Sequence, residues 1–288
     1  MSNAGVSSGV SSVSRARHMS AGSFFGTIQG KREQCGAIFT DLRHTAPRTL
    51  PMHSHELAFF ALLLDGLYAE RYGRRQSQYG PFTLMFRPAG IPHQDEIGPR
   101  GVRLYEIEIR AAWQKRLADC SAALDTPRDD IGDGPLLWLA MKLFREVQSP
   151  SAVDDLAVEG LLAEMLSFAA RASRHESGHV PGWLSRIQDK LMAEHCRRLT
   201  LDELAREAGV HPVHLSRIFR RSVGEGIGDH IHRLRVRTAC ERLLDPHASL
   251  AEVSFATGFA DQSHFTRSFR RITGMTPALF RSVVLHAT

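Results

Sequence analysis

Two segments of this chain carry the same arginine, histidine and phenylalanine side chains at the same spacing. The pattern His-x-x-Arg-x-Phe-Arg-Arg begins at His214 and again at His264, and each copy ends at a glycine, Gly224 or Gly274. Arginine presents a planar fork of donors that matches guanine and phosphate acceptors in pairs. A solvated helix face would also be rich in arginine, but the recurrence in register favours a nucleic-acid contact that is made twice.

The elements that position these arginines can be predicted from the residues around them. Thr200 with Glu203, and Ser249 with Glu252, form the Ser/Thr-x-x-Glu pattern of a capping box, which opens a helix. A glycine ends each of these short helices, and a turn then leads to the arginine-bearing helix. The apolar spacing predicts one buried stripe on each second helix: Leu215, Ile218 and Phe219 in the first copy, Phe265 and Phe269 in the second. Each copy is therefore predicted to be a helix-turn-helix.

The positive charge of the chain is concentrated in the segment that holds the repeat. From Pro181 to the end there are 16 Lys+Arg and 11 Asp+Glu residues, whereas the residues before Pro181 carry 20 of each class. The whole formal excess of +5 therefore lies on the repeat-bearing segment. A phosphate-binding half joined to a neutral half is expected to show this asymmetry.

The stretch from about Trp183 to Arg281 resembles the DNA-binding domain of the AraC/XylS family of bacterial transcription regulators. The second copy carries the fuller family signature, which consists of Gly258-Phe259, the segment from His264, and Gly-Met-Thr-Pro-Ala-Leu-Phe-Arg from Gly274. The signature runs over the full length of the second copy. Together with the first copy, the resemblance covers the C-terminal third of the chain.

The first copy departs from the family signature after its closing glycine. It has Ile227 and His230 where the second copy has Pro277 and Phe280, and extra glycines follow Glu225. We therefore expect the first helix-turn-helix to join the connecting helix through a looser, glycine-rich exit.

The resemblance implies two helix-turn-helix units joined by a helix at about His230 to Leu244, with both recognition helices in the major groove. Successive major-groove faces recur every ~34 Å, so one rigid connector lets a single chain read two half-sites. Matched to the family pattern, the base-reading candidates are Val213, Ser216, Arg217, Gln262, Ser263, Thr266 and Arg267. The phosphate-contacting candidates are Arg220, Arg221, Arg270 and Arg271, together with His214 and His264.

The two copies are expected to differ as readers of sequence. Gln262 and Arg267 can make bidentate contacts to adenine and guanine, whereas Val213 can touch only a thymine methyl group. The second copy is therefore predicted to read the more specific half-site. His214 and His264 stay ambiguous, because such histidines either contact the DNA backbone or cap and pack their helices.

The residues before the repeat are numerous enough for a separate domain. Residues 1–22 are rich in Ser, Gly, Ala and Val and are predicted to be a disordered leader. We expect a cupin-like effector-binding domain with a helical dimerisation segment at 23–172, a linker at 173–181, and the DNA-binding domain at 182–288. No stretch reaches the ~20 apolar residues of a membrane span. The four cysteines have no paired spacing, which favours reduced thiols in a cytoplasmic protein.

Short strands are predicted between about Cys35 and Arg110. Apolar runs at Leu57–Leu64 and Phe82–Phe86 end at turn residues, and Arg103–Arg110 alternates between apolar and polar positions. Such strands are typical of a small barrel or jelly roll. Two motifs in this region resemble those of the cupin barrel: His53-Ser54-His55 followed by Gly66, and Pro88-Ala89-Gly90-Ile91-Pro92-His93. The expected fold class is α+β in two domains, a cupin-like β-barrel with following helices and an all-α double helix-turn-helix.

Three histidines in the cupin-like motifs are candidates for binding a ligand or a metal ion. His53 and His55 would share one face of a strand, where His93 could join them. The carboxylate of the cupin pattern is missing, since apolar residues including Phe59 occupy its place, and Glu56 would point to the opposite face. We therefore expect no cofactor and prefer an effector pocket, although a bound metal or a structural role for the histidines stays open.

Two helical stripes follow the predicted barrel. One consists of Leu136, Leu139, Ala140, Leu143, Phe144 and Val147, and the other of Leu161, Leu162, Met165, Leu166 and Phe168. The family resemblance implies that such helices pair two subunits, whereas packing on their own barrel would explain either stripe equally well.

Together these patterns predict a sequence-specific transcription regulator, an activator by family analogy, that is not an enzyme. Its expected partners are double-stranded DNA, a small-molecule effector, RNA polymerase and a second copy of the chain. Effector binding would shift the population of arrangements in which both recognition helices can engage adjacent half-sites. The alternatives are a metal-dependent cupin enzyme fused to a DNA-binding module, and an architectural protein that binds all sequences alike.

Overall fold

The computed structural model describes residues 16–119, 126–128, 135–148, 154–175 and 181–285 of the chain. Residues 1–15 of the predicted leader, residues 176–180 of the predicted linker, and Cys120 lie outside the described residues. Across the described ranges, no helix combines the length and the apolar character that crossing a membrane requires.

Strands occupy the first part of the chain. Within the described residues they are β1 (Arg17–Met19), β2 (Thr27–Gln34), β3 (Ala37–His44), β4 (Arg48–Thr49), β5 (His53–His55), β6 (Ala58–Tyr72), β7 (Arg75–Tyr79), β8 (Thr83–Arg87) and β9 (Gln94–Ile109). The three predicted strand segments fall largely within β6, β8 and β9.

One antiparallel sheet is built around the two longest strands, β6 and β9. These strands pair along most of their length, and the sheet runs in the order β2-β3-β9-β6-β7, with β4 added to β9 and β8 added to β6. Register shifts near Asp65 and Gly66 interrupt the β6–β9 ladder, and such bulges bend and twist a strand.

The predicted barrel is not closed, because among the described strands the edges β2 and β7 do not pair with each other. Both edge strands are polar, with the sequences Thr-Ile-Gln-Gly-Lys-Arg-Glu-Gln and Arg-Gln-Ser-Gln-Tyr. Charged and polar edges oppose further strand pairing, which gives a physical reason for the open sheet. The resemblance to a cupin stays a prediction about the finer fold.

The predicted leader is wrong for its last residues. Arg17–Met19 form β1, which pairs in parallel with His53–His55, and Met19 is buried. The backbone pairing and the burial of Met19 hold this segment on the domain, although its composition is typical of disorder.

Helices form the rest of the described structure. They are α1 (Ala111–Asp119), α2 (Pro135–Gln148), α3 (Asp154–His175), α4 (Gly182–Glu194), α5 (Leu201–Ala208), α6 (Pro212–Val223), α7 (Ile227–Leu243), α8 (Leu250–Ala256), α9 (Gln262–Thr273) and α10 (Pro277–Leu285). The helix α3 therefore continues through residues 173–175 of the predicted linker. We call α5 with α6 the first unit and α8 with α9 the second unit.

Both predicted helical stripes pack within this chain. Leu136 to Val147 on α2 and Leu162 to Leu166 on α3 contribute buried residues to the same core as the outer face of the sheet. Homodimerisation stays a prediction, but these two stripes no longer support it, because their apolar faces are already covered.

The two faces of the sheet enter different cores, because successive strand residues point in opposite directions. Phe59 and Leu63 lie in a cluster inside the curved sheet, whereas Phe60, Leu62 and Leu64 join α2 and α3 on the outer face.

The outer core extends into the second unit but not into the first. The rings of Phe82 on the loop before β8 and Phe280 on α10 lie 5.5 Å apart between centroids. Residues of α7, α8, α9 and α10 share this core, whereas α4, α5, α6 and the start of α7 form a separate one. The second unit is thus packed on the N-terminal half (residues 16–175), and the first unit has its own core.

Candidate nucleic-acid interface and interior polar site

The helices that open the two units begin as predicted. In the first unit the Thr200 hydroxyl accepts from Glu203 N and the Glu203 carboxylate accepts from Thr200 N. Ser249 and Glu252 make the same reciprocal pair in the second unit. These bonds satisfy backbone N–H groups that a helix start otherwise leaves unpaired.

The recognition helices α6 and α9 have matching ends. His211 caps α6 through its ring nitrogen, and Asp261 caps α9 by accepting from His264 N at 2.7 Å. Both helices end at a left-handed glycine, Gly224 with φ 85° and Gly274 with φ 80°. The duplicated sequence therefore folds into duplicated structure.

The candidate base readers are accessible on both helices. Five of them are exposed, namely Val213, Arg217, Gln262, Ser263 and Arg267, and two are half-buried, namely Ser216 and Thr266. The four arginines that the sequence predicts to contact phosphates are also exposed: Arg220, Arg221, Arg270 and Arg271. Opposite them, Leu215, Phe219, Phe265 and Phe269 are buried, as the apolar spacing predicts.

The two ambiguous histidines differ in their surroundings. His214 is exposed, and its Nδ1 lies 3.4 Å from a guanidinium nitrogen of Arg217. His264 is half-buried, with its ring centroid 5.4 Å from that of Phe259 and 5.6 Å from that of His232. His214 therefore has the more open position for a phosphate, while His264 packs in its unit.

The exit from the first unit differs from the expected loose connection. Gly226 is the N-cap residue of α7, which starts three residues earlier than predicted, at Ile227. His230 is buried and hydrogen-bonded to the Glu225 carboxylate at 2.8 Å. Its ring lies 5.3 Å from that of Phe219, just as Phe280 lies 5.3 Å from Phe269 in the second unit. A buried polar pair thus replaces the aromatic contact, and the exit is packed.

Arg235, which the sequence patterns did not single out, links the segment after α4, a helix that shares the core of the first unit, to the end of α8 in the second unit. From the middle of α7 it donates to the carbonyl oxygens of His195 at 2.7 Å, Arg197 at 2.9 Å and Gly258 at 2.6 Å. Gly258 has φ +79°, and a Cβ there would lie 2.0 Å from the Cys196 carbonyl oxygen. The contact between the α4 end and the α8 end therefore requires glycine, and Arg235 fixes its geometry.

The three candidate histidines meet inside the sheet. His53, His55 and His93 are buried, and each offers a ring nitrogen within 4.8 Å of the others. Asp95 lies beside this group, with one carboxylate oxygen 3.5 Å from His53 Nε2 and the other 3.9 Å from His93 Nε2. With His93 and Glu70 it forms a second set of possible ligands. Glu56 is exposed and lies outside this group.

The cupin pattern places its carboxylate a few residues after His55. The sequence prediction therefore does not include Asp95. The available signal is the spacing His93-x-Asp95, since residues i and i+2 of a strand share one face.

The donor set fits a divalent metal ion. His53 and His93 each pair Nδ1 with a backbone carbonyl, of Pro51 at 2.9 Å and of Ile91 at 3.0 Å. Such bonds orient a ligating histidine and leave Nε2 free for the metal. Among the described residues, His55 Nδ1 is buried without a hydrogen-bond partner, so a further ligand would satisfy it. Burial lowers the pKa of His53, and it lowers the pKa of His55 to about 2. Both rings are therefore neutral, as metal binding requires.

The remaining polar groups of the interior are also buried. Arg87 donates through Nε to both carboxylate oxygens of Glu70 at 2.8 Å, and through Nη2 to the Tyr79 hydroxyl at 3.0 Å. Burial raises the pKa of Glu106 well above its usual range. The cavity lined by these groups has a volume of about 30 Å³, which is room for roughly two water molecules.

Comparison with known proteins identifies relatives along most of the chain. A family model described as a helix-turn-helix domain matches residues 204–282. The uncharacterized HTH-type transcriptional regulator YobQ of Bacillus subtilis is 37% identical over 248 residues, which cover 84% of this chain and 93% of YobQ.

Two other relatives match over shorter stretches. The HTH-type transcriptional regulator GlxA of Rhizobium meliloti is 36% identical over 110 residues, which cover 38% of this chain and 33% of GlxA. A putative AraC-like transcription regulator of Streptomyces lividans is 26% identical over 166 residues, covering 54% of this chain and 53% of that protein. The chain thus spans about a third and about half of these two relatives. With the long match to YobQ, the capped and duplicated helix-turn-helix units place this chain in the AraC family of HTH-type, DNA-binding transcription regulators.

Proposed function

We propose that the chain reads two adjacent half-sites of one operator, one with each unit, and that a ligand held by its N-terminal half controls this binding. The observation that carries the proposal is the position of Arg235. It joins the end of α4, which packs in the core of the first unit, to the end of α8 in the second unit, while the arginines of both recognition helices stay exposed. A fixed frame favours two half-sites at one spacing, because the second contact then costs little further ordering.

Within each recognition helix we assign different roles to the two ends. The residues near the N-termini of α6 and α9, including Arg217 and Arg267, would read base edges. The arginines near the C-termini, such as Arg220 and Arg270, would contact phosphates, which position the protein without specifying sequence.

We infer that the ligand of the sheet interior is an ion or a very small molecule. The cavity there is small, and its surface combines His53, His55 and His93 with Asp95. A metal ion in this set would supply a fixed positive charge among buried carboxylates and would stabilise the folded arrangement of the strands that carry them. This observation favours a metal-dependent domain as the second candidate, without assigning a reaction to it.

By analogy with the family, the proposal includes activation of transcription, contact with RNA polymerase and homodimerisation.

Selection of bound duplexes from a random library by the full chain tests the proposed function. We expect an enriched site with two half-sites about one helical turn apart, and affinity that falls steeply as salt increases. A matched duplex with one half-site scrambled should bind more weakly than the intact site. Binding of all sequences with equal affinity would instead identify an architectural DNA-binding protein.

A further inference from the structure

A strongly basic turn joins β6 to β7 in the N-terminal half. Residues 71–76 read Arg-Tyr-Gly-Arg-Arg-Gln, with three arginines and no acidic residue. The two strands pair as far as Tyr72 and Arg75, so Gly73 and Arg74 form a two-residue loop. Gly73 has the positive φ, 58°, that the first position of such a tight turn requires. Arg71, Arg74 and Arg75 are all exposed, and we call residues 71–76 the basic tip.

Contacts with the sheet interior hold the basic tip in place. Arg75 Nη1 donates to the Tyr72 hydroxyl at 3.0 Å. The ring of Tyr72 in turn lies 5.1 Å from the guanidinium carbon of Arg87, which is fixed by hydrogen bonds to the buried Glu70 carboxylate. Side chains that are ordered before binding lose less conformational entropy when a partner binds. The basic tip is therefore prepared for a contact.

The charge of the basic tip is only partly balanced. In the described part of the chain, neither Arg71 nor Arg74 forms an ion pair with a carboxylate. Arg71 Nη2 donates instead to the neutral side-chain amide of Gln94 at 2.7 Å. Glu96 is exposed two residues further along β9. Three arginines beside one exposed carboxylate leave this end of the sheet positively charged.

Charged side chains on an edge strand also oppose further strand pairing, and the other edge of the sheet shows what that purpose needs. Strand β2 carries Lys31 and Arg32 next to Glu33, and Glu33 pairs with Arg110 at 2.6 Å. That edge is protected with charges of both signs. The residues before Pro181 are neutral as a whole, with 20 basic and 20 acidic side chains. The one-sided charge of the basic tip therefore points to an anionic partner.

Duplex DNA is the anion that fits the basic tip. The forked donors of arginine match pairs of phosphate oxygens, and a two-stranded β-ribbon is narrow enough to enter the major groove. The second unit also docks close to the same strands, because Arg103, which lies opposite Asp65 of β6, donates to the Val284 carbonyl of α10 at 2.7 Å. Gly73 lies eight residues beyond Asp65, roughly 25 Å along an extended strand. This reach approaches the ~34 Å between successive major-groove faces.

We propose that the basic tip is a further DNA contact, through which the N-terminal half binds phosphates of the duplex next to the two half-sites. Arg71, Arg74 and Arg75 donate to phosphate oxygens. The contact strengthens binding without reading sequence, because phosphates carry no sequence information. It adds a third point of contact to the proposed pair of half-sites, and it rests on DNA binding by this family rather than on the reading of a particular operator.

Salt titration of binding to a long duplex of arbitrary sequence tests this proposal with the full chain. The tip variant combines Arg71→Gln, Arg74→Gln and Arg75→Gln. We expect the slope of log affinity against log salt to fall by about 2–3 in the tip variant, because each phosphate contact contributes about 0.9. The affinity near ~0.1 M salt should fall at least tenfold for the same reason.

Two further variants separate a DNA contact from changes in net charge or folding. The matched control combines Arg32→Gln, Lys115→Gln and Arg116→Gln, which remove the same charge from other exposed positions of the N-terminal half. It should keep the slope of the original chain. Lysine at the three tip positions, in Arg71→Lys, Arg74→Lys and Arg75→Lys, should restore most of the slope, because lysine also neutralises phosphates.

Hydroxyl-radical footprinting on the selected operator then locates the contact. The original chain is expected to protect sugars outside the two half-sites, and the tip variant should lose that protection while keeping the protection within them. Equal slopes for the tip variant and the matched control, a lysine variant that restores nothing, or no protection outside the half-sites would overturn the proposal. The salt titration needs no specific site, so it stays informative even if the chain binds all sequences alike and the proposed reading of two half-sites fails.

Discussion

Arg103 Nη1 lies 2.7 Å from the carbonyl oxygen of Val284, so strand β9 donates a hydrogen bond directly to the last turn of α10. The same guanidinium holds the Asp41 carboxylate through Nε at 3.0 Å and Nη2 at 2.6 Å. Carbonyls in the last turn of a helix have no partner within the helix. A buried cation therefore satisfies the end of α10 and joins it to the sheet.

Arg103→Met is expected to lower the free energy of unfolding by about 3–5 kcal/mol, because Asp41 would stay buried without its partner. Urea denaturation of the full chain measures the change. The double variant Arg103→Met with Asp41→Leu should recover most of the loss. Arg110→Met, which breaks the exposed pair with Glu33, is the control and should cost less than about 1 kcal/mol. A double variant as unstable as the single one would contradict this account.

Arg235→Lys should weaken binding to a duplex with two half-sites more than binding to a duplex with one half-site. Lysine cannot reproduce three directed bonds to His195, Arg197 and Gly258, so the two units would lose their fixed spacing. We expect roughly tenfold weaker binding to a duplex with both half-sites, and a change of less than about twofold on a single half-site. Equal weakening on both duplexes would show that Arg235 supports only the fold.

Arg267→Ala and Arg271→Ala are expected to affect DNA binding in different ways. Loss of Arg267 should reduce discrimination at one base position by ~1–3 kcal/mol, because we assign this exposed arginine to a base edge. Loss of Arg271 should weaken all duplexes alike and reduce the dependence on salt. Titration of specific and scrambled duplexes at several salt concentrations measures both effects. If both variants lost specific and scrambled binding equally, the division into base readers and phosphate contacts would be wrong.

Glu108 is expected to make stability depend on pH. Its carboxylate accepts from Gly22 N at 2.7 Å in a fully buried position, and burial raises its pKa to about 7. The folded chain keeps a proton that the unfolded chain releases near pH ~4.3. The contribution of Glu108 to the free energy of unfolding is therefore fully present below pH ~4.3, and it is lost as pH rises toward about 7.

Glu108→Gln keeps the acceptor for Gly22 and removes the titration. At pH ~8 the variant should be more stable than the original chain by roughly 1–3 kcal/mol, and near pH ~4 the two should agree closely. Urea denaturation across this range measures the difference. Glu106 also has a raised pKa, so the pH dependence should become weaker without disappearing. The exposed Glu33→Gln variant is the control, and an unchanged pH profile for Glu108→Gln would reject the assignment.

Metal analysis tests the interior site. After growth with added Mn, Fe, Ni and Zn, the full chain is expected to retain about one ion per molecule. Asp95→Asn should weaken retention by about 10–100-fold, and His93→Ala should abolish it. Asp65→Asn, outside the histidine cluster, serves as the matched control. A folded chain that binds none of these ions would leave the histidines with a structural role.

The features that were predictable from the sequence are those that a few neighbouring residues determine. The capping boxes at Thr200 and Ser249 follow from local hydrogen-bond chemistry, and the apolar stripes follow from helix period. The pair of Arg103 and Val284 joins residues 181 positions apart, so no local pattern reports it. Closure of the sheet likewise depends on edge pairing between distant strands, which motif spacing does not specify.

The histidine cluster contains residues that the sequence predicts and one residue, Asp95, that it does not. Its three imidazoles are predicted by the resemblance to the two cupin motifs, and strand geometry adds that His53 and His55 share one face. Asp95 was missed because a family pattern directed attention to a different position. The packing of β1 on His53–His55 was missed as well, since three residues of low apolar content carry little signal.

Because the first unit has a core of its own, the two units are expected to differ in their free energy of local unfolding. The second unit shares its apolar core with the sheet, α2 and α3, so a transition in the N-terminal half changes its surroundings directly. The first unit can open as a cooperative group by itself, and among the described residues α7 and the contact of the α4 end with Gly258 connect it to the second unit. One helix-turn-helix unit therefore shares its core with the N-terminal half and the other does not, and amide exchange should resolve them as distinct folding units.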